Sequence, residues 1–183
     1  MFLKIDGGYA DWDFDFLSGF LEHLDIKLSL IDAAIKKSRD PDSDGLCDQG
    51  EYIIGVGFTA VQRYIGSTYK WLGFDKLNAL RVPPEVKDGL CFVEIVNAGA
   101  NYWKHLDEWD IRAVCRRDVD ALNGNKNAVR TIETIEKITP WADYTCSNLL
   151  AALLGDEPLK LSLLLPKIAE WRSNLDAQAP QSL

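Results

Sequence analysis

Histidine is nearly absent from this sequence, which holds only His23 and His105. Two imidazoles argue against a zinc hydrolase centre of the usual histidine-rich kind. The four cysteines, Cys47, Cys91, Cys115 and Cys146, are widely spaced and form no C-x-x-C pair. That excludes the paired ligands of small zinc modules and the thioredoxin-like motif. Scattered thiols of this kind fit a reducing compartment. No apolar run nears the ~18 residues that mark a membrane span. The opening MFLKIDGGYADWDF lacks the basic region and apolar stretch of a secretory signal. No phosphate-cradling loop is present, because GVG at 55–57 is not followed by Lys and Ser or Thr. There is no internal repeat, no low-complexity tract and little strand-like alternation. These absences lead to the expectation of a cytoplasmic protein with no membrane partner.

What is present is ordinary globular material. Of 183 residues, 47% are hydrophobic and 26% charged, which suits a folded chain rather than a disordered one. The length supports one domain over residues 1–183 with a sizeable core. The net charge is −8, and it is uneven. Residues 1–51 carry 5 basic and 12 acidic side chains, a net −7. An acidic chain repels nucleic-acid phosphates at long range, although a small basic cleft remains compatible with that balance. It also suits a protein that meets a basic partner.

Helical periodicity dominates the pattern. Leu17, Phe20, Leu24, Leu28, Ile31 and Ile35 recur at spacings of three and four, which predicts a helix over Asp15–Ser38. A second helix is expected over Glu51–Leu72, with Ile53, Val56, Ala60, Tyr64 and Trp71 inward. Gly55, Gly57 and Gly66 weaken it, or let a neighbour approach. Pro83-Pro84 marks the start of a third over Glu85–Trp109. Residues 110–127 read as irregular, with Asn123-Gly124 as a turn. Shorter helices follow over Ala128–Ile138, Ala142–Leu154 and Leu159–Leu175, the last kinked or interrupted by Pro166. Its inward residues are Leu161, Leu164, Ile168 and Leu175, and a frayed tail follows Asp176. The fold class expected is all-α, a single-domain antiparallel bundle of about five to six helices. The tryptophans and phenylalanines fall at helical spacing and are expected in its core.

Two signatures carry chemistry. The first is the loop DPDSDGLCDQGE at residues 40–51. Asp40, Asp42 and Asp44 take positions one, three and five, Gly45 takes six, Asp48 nine and Glu51 twelve. This resembles the calcium-binding loop of the EF-hand, in which the backbone carbonyl at position seven, here Leu46, also ligates. Ca2+, a hard ion wanting six to eight oxygens, is the cofactor the resemblance implies. The departures are Cys47, where a branched aliphatic usually pairs two hands, and the lack of a second loop. The alternative is a solvated acidic turn with Asp40 or Asp48 capping a helix.

The second signature is a polar stripe. In LCFVEIVNAGANYWKHLDEW, residues 90–109, the side chains of Asn97, Asn101, Lys104, His105 and Glu108 share one helical face. Ile95, Tyr102, Leu106 and Trp109 flank it on one side, and Val96, Ala100 and Trp103 on the other. Polar groups wedged between apolar stripes form either a satisfied internal network or a site. The fragment ANYWKH resembles the motif of the HEPN family of helical-bundle proteins. Many of these are ribonucleases of bacterial toxin–antitoxin and antiphage systems. Their motif is an arginine, a polar residue, three residues and a histidine. Asn101 aligns with the polar residue and His105 with the histidine, while Ala100 stands in the arginine's place.

The resemblance implies a homodimer, RNA as the substrate, and a metal-independent ribonuclease or a degenerate binder. His105 would move the proton, Asn101 would assist, and Lys104 would substitute for the missing cation. The bland alternative is a core histidine hydrogen-bonded to Asn101 or Glu108. His23 reads as a surface residue. Arg112, Arg116 and Arg117 form a small basic cluster that meets either phosphate or nearby Asp118 and Asp120. Two other functional classes remain open at this stage. One is an acidic immunity or inhibitor protein that covers a cognate toxin, and the other is a calcium-stabilised structural module.

Overall fold

In the computed structural model, residues 2–5, 8–109, 126–140 and 143–179 are described. Two strands, β1 (Phe2–Ile5) and β2 (Gly8–Asp11), pair antiparallel with Ile5 opposite Gly8. The Asp-Gly dipeptide at 6–7 is a hairpin signal in the sequence. Asp11 ends β2 and begins α1 (Trp12–Ile35), where its carboxylate accepts the backbone N–H of Phe14 at 3.0 Å. This cap, in place of the expected start at Asp15, is why the helix begins three residues earlier. The inward line of α1 is Leu17, Leu21, Asp25 and Leu28, with Phe20, Leu24, Ile31 and Ile35 half-buried.

The helix α2 runs Leu46–Trp71, and Gly45, in the left-handed region at φ 69°, starts it. It therefore takes in the second half of the acidic loop, five residues ahead of the expected start. Its buried line is Ile54, Phe58, Val61, Tyr64, Ile65 and Thr68. The expected line was rotated: Ile53, Val56 and Ala60 are half-buried and Trp71 is half-exposed. The reason is that α2 is central. It packs against α1 on one side and against α4 (Phe92–His105) and α6 (Thr145–Leu154) on others. A helix buried around much of its girth gives a poor one-stripe signal. Two of its glycines serve close approach: a Cβ at Gly55 would lie 2.1 Å from the Trp103 ring, and one at Gly57 would lie 2.5 Å from Leu161. Gly66 faces open space instead.

Beyond α2, the short α3 (Lys76–Leu80) is capped by Asp75, which accepts the N–H groups of Leu77 and Asn78. The fully buried Trp171 donates its indole N–H to the Ala79 carbonyl at 2.9 Å and so pins α3 to the core. The helix expected from Glu85 does not begin there. Residues 85–91 form a second hairpin, β3 (Glu85–Lys87) with β4 (Leu90–Cys91). Asp88 at φ 49° and Gly89 at φ 76° make its turn, a conformation that a helix does not contain. The helix α4 then starts at Phe92 and continues into a 3₁₀ turn at Leu106–Glu108.

The remaining elements are α5 (Lys126–Ile138), α6, a 3₁₀ turn at Leu161–Leu164 and α7 (Leu165–Ala177). Pro166 stands in the first turn of α7, where its missing N–H costs no helical bond. Leu161, Leu164, Ile168 and Leu175 are all buried, as their spacing implies. The molecule is thus a mostly helical single domain, with seven α-helices and two small hairpins among the described residues. None of those helices is long and apolar enough to cross a membrane. The irregular stretch expected at 110–127 falls outside the described residues up to 125. Cys115, the arginine cluster at 112, 116 and 117, Asp118, Asp120 and the Asn123-Gly124 turn all lie there.

Several buried polar groups are matched by specific partners. Asp11 also accepts from the Tyr64 hydroxyl at 2.6 Å and from Arg172 at 2.7 Å, and the Arg172 guanidinium lies over the rings of Tyr9 and Phe14. Burial, and then the hydrogen bond to Asp11, push the Tyr64 phenol well above its ordinary value. Asp25 accepts the N–H groups of Leu161 and Ser162, at 2.6 and 3.1 Å, and so holds the 3₁₀ turn against α1.

Candidate functional site

The polar stripe of α4 opens to solvent. Asn97, Asn101, His105 and Glu108 line a depression of about 330 Å³ together with Lys76 of α3 and Arg130 of α5. Asn97, Asn101 and Lys104 line a second, of about 320 Å³, with Gln62, Arg63, Gly66 and Lys70 of α2 and again Lys76. The two share Lys76, Leu80, Asn97 and Asn101, so they form one cleft divided by a low ridge of asparagine side chains. All five stripe residues reach this concavity. Asn101 touches both halves, but His105 and Lys104 stand in different halves, on either side of it.

Gln62 organises the ridge. Its amide nitrogen donates to Asn97 Oδ1 at 2.9 Å and to Asn101 Oδ1 at 2.8 Å, while its Oε1 accepts from Lys104 Nζ at 2.7 Å. With both asparagine oxygens engaged, their NH2 groups remain as donors to the cleft, with no partner among the described residues. The spacing in α4 explains the alignment, since 97, 101, 104 and 108 lie on one face. The opposite faces of α4 are packed: Ile95, Val96 and Ala100 have no exposure. Ala100 is therefore a core position, and the site where the HEPN arginine would stand points away from the cleft.

His105 Nδ1 lies 3.0 Å from Glu108 Oε2, and the imidazole is 43% exposed. A carboxylate on Nδ1 fixes ring orientation and leaves Nε2 for proton exchange. This is the arrangement a general acid or base needs, reached one turn along the same helix. Its neighbourhood holds a paired cation: Arg130 bonds Glu94 at 3.0 Å, with Glu94 largely covered.

The Lys104 half has a different electrostatic character. Arg63, Lys70, Lys76 and Lys104 line it, and among the described residues no carboxylate does. Among the described residues none of these four has an ion-pair partner. The Lys76 ammonium is held below the ordinary lysine range, first by partial burial and then by repulsion from Lys104, Arg130 and Lys70. Partial burial lowers Lys104 as well. In a chain of net charge −8, the described residues here form a local positive pocket. Sequence reasoning missed Gln62, Arg63, Lys70, Lys76 and Arg130, because they come from three other helices and no spacing links them to α4.

The residues of the calcium-like loop are engaged elsewhere. Asp40 accepts from the backbone and hydroxyl of Ser43, which holds its carboxyl below the usual range. Asp42 accepts from the Tyr144 hydroxyl, Asp44 from Ser38 at 2.6 Å, and Asp48 is exposed. Leu46 is already the first residue of α2, so its carbonyl sits within the helix. Glu51 reaches the N-terminus of α6, where it accepts the N–H groups of Cys146 at 2.7 Å and Ser147 at 2.8 Å and the Ser147 hydroxyl at 2.7 Å. Tyr144, the residue that precedes α6, provides no cap of its own, so Glu51 caps that helix from across the bundle. The loop's carboxylates thus face separate partners, and among the described residues no group of three or more His, Cys, Asp or Glu side chains is placed to hold a metal ion.

His23 is exposed, as its neighbours in sequence imply. Cys91 and Cys146 are buried and Cys47 half-buried, all as free thiols. Burial raises the Cys146 thiol far above its ordinary value. Comparison with models of known families, with curated proteins and with solved structures found no match.

Proposed function

We propose that this protein binds RNA in the cleft between α2, α3 and α4, as a degenerate HEPN-like bundle of a bacterial defence or toxin–antitoxin type. The observation that carries the reading is the Lys104 half of the cleft. Among the described residues it combines four cations without a carboxylate and two asparagines whose oxygens are engaged by Gln62, which leaves their NH2 groups as donors. Phosphates answer the cations, and amide donors answer base or ribose oxygens. The buried Ala100 supports binding over cutting, because the position where the resemblance would put an arginine is packed in the core, and Arg130, which lines the His105 half, is bonded to Glu94. The His105–Glu108 pair gives a route to slow acid–base chemistry on a ligand that spans both halves.

The inhibitor reading draws less support. Its motive was the net −7 of residues 1–51, yet Asp11, Asp25 and Glu51 turn inward to hold the fold. The test is fluorescence anisotropy with short single-stranded RNA and with DNA of the same sequence, on wild type and the Lys76→Gln, Lys104→Gln double variant. Binding to RNA that the double variant weakens at least tenfold supports the reading. No binding, or equal binding by both proteins, overturns it. Product analysis with His105→Ala then separates the two forms of the proposal. Cleavage by wild type that the variant loses assigns the proton transfer to His105, and no cleavage by either leaves a binder.

A further inference from the structure

On α1, residues 28, 31, 32 and 35 share one face, and on α2 so do 46, 47, 50 and 54. These two faces, the start of α6 and residues 158–160 enclose a concavity of about 580 Å³, within the ~300–1,000 Å³ of small-molecule sites. It shares no lining residue with the RNA cleft. Its walls are mainly apolar: Leu28, Ile31 and Ile35 come from α1, Leu46 and Ile54 from α2, and Leu159 from the segment before the 3₁₀ turn. Gly50 lines it too, and a Cβ there would meet no atom within 4 Å. Cys47, three residues earlier on that face, adds a half-buried free thiol.

The protein itself answers most of the polar groups on these walls. Ser29 donates to the Asp25 carbonyl at 2.8 Å, Ser147 to Glu51 at 2.7 Å, Asn148 to the Asp143 carbonyl at 3.0 Å, and Tyr144 to Asp42. Lys36 pairs with Asp32 at 2.5 Å. Lys160 differs, for it has no ion-pair partner among the described residues. The charges also differ between the two ends. Asp25 accepts the backbone N–H of Leu161, which sets Lys160 near the Leu28 end of α1. At the Ile35 and Leu46 end, Asp42 bonds the Tyr144 hydroxyl, and Asp48 is close enough to oppose its ionisation. Asp156 and Glu157, which precede Lys160, are exposed and do not line the concavity.

We propose that this concavity binds a medium-chain alkyl carboxylate, with its head on Lys160 and its chain along the apolar walls toward Ile35 and Leu46. A strongly polar ligand would find the hydrogen-bond donors of the walls already engaged, so the body of the ligand is apolar. The cation left over at one end takes an anionic head, and the carboxylates at the other end repel it, which fixes the direction. From Leu28 to Ile35 the helix rises about 10 Å, a run that suits an extended chain. The site is independent of the RNA reading, and either can fail alone.

Isothermal titration calorimetry of the full chain tests the proposal with octanoate, decanoate and dodecanoate. Dodecanol and dodecyltrimethylammonium serve as neutral and cationic counterparts, each below its micelle concentration. Affinity should rise roughly two- to fourfold per added methylene. Dodecanoate should bind about tenfold tighter than either counterpart. Lys160→Gln should remove that preference and keep the dependence on chain length. Gly50→Leu fills the concavity from a helical position with room for a side chain, so it should weaken dodecanoate binding by about tenfold or more with unchanged circular dichroism. Leu159→Asp, at an exposed position, should give the same loss by setting a carboxylate beside the head. In wild type, dodecanoate should also slow alkylation of Cys47, read by mass spectrometry of its peptide. No binding of dodecanoate, full binding by a folded Gly50→Leu or Leu159→Asp protein, equal affinity for dodecanoate and either counterpart, or no protection of Cys47 would overturn the proposal.

Discussion

Glu51 offers a direct contrast between two roles for one carboxylate. As loop position twelve it would give two oxygens to calcium, and as the structure places it, it accepts three hydrogen bonds at the start of α6. Replacing it by alanine leaves the Cys146 and Ser147 N–H groups without an acceptor. Hydrogen bonds to a charged acceptor contribute about 1.5–3 kcal/mol each, but half-buried donors at a helix end recover part of that from water. Losing a helix cap together with its favourable charge costs about 2–3 kcal/mol by the same reasoning. For a domain of this size, that lowers the melting temperature by roughly 4–12 °C. Thermal unfolding followed by circular dichroism, in EDTA and in calcium, measures it. The loss should appear in EDTA, with no calcium needed, and Asp48→Ala should stay within about 0.5 kcal/mol of wild type. A Glu51→Ala protein as stable as wild type in EDTA, but lacking a calcium-dependent gain that wild type shows, would refute the cap and favour the metal role.

Asp11 joins the cap of α1 to the buried Arg172, so Asp11→Ala removes the cap and a buried carboxylate that the guanidinium bonds at 2.7 Å. About 3–5 kcal/mol of stability should be lost in urea unfolding, far more than for Asp13→Ala on the surface. Lys76 sits among like charges, and the fold disfavours its charged form. The resulting strain is present at neutral pH and fades as pH rises from its depressed folded value towards the ordinary lysine value. Lys76→Gln should therefore raise the melting temperature slightly at pH 7 while weakening RNA binding, and a variant that loses stability contradicts the repulsion. Gly66 borders the same half of the cleft with open space beyond it. Gly66→Ala should stabilise α2 by up to ~1 kcal/mol, whereas Gly66→Glu should keep the fold and abolish RNA binding.

Much of the scaffold is legible in the chain because helical burial leaves a period. The inward residues of α7 and the polar face of α4 follow from spacing alone, and both stand where the pattern puts them. Errors arise where one signal hides another. The Asp88-Gly89 dipeptide is a strong hairpin cue, but Pro83-Pro84 before it and the apolar run from Leu90 after it suit the start of one helix. The inward face of α2 is hard to read from spacing because a central helix has several buried sides. The cleft itself is half legible. Periodicity says which residues of α4 share a face, and nothing in it says that Gln62 will bridge Asn97 and Asn101 or that Lys76 will arrive from α3. Those depend on helix packing, which a single sequence does not encode in any local spacing. The exposed line of Trp12, Phe16, Ile26 and Leu30 on α1 is regular enough to read, but in sequence it resembles a core stripe.

The salt dependence of RNA affinity tests the cleft most directly. Four cations that each neutralise a phosphate on a single strand give a slope of log K against log salt of about −2.8, and Lys76→Gln with Lys104→Gln should halve it. A slope near zero, or one that the double variant leaves unchanged, would mean that phosphate is not what Arg63, Lys70, Lys76 and Lys104 are gathered to meet.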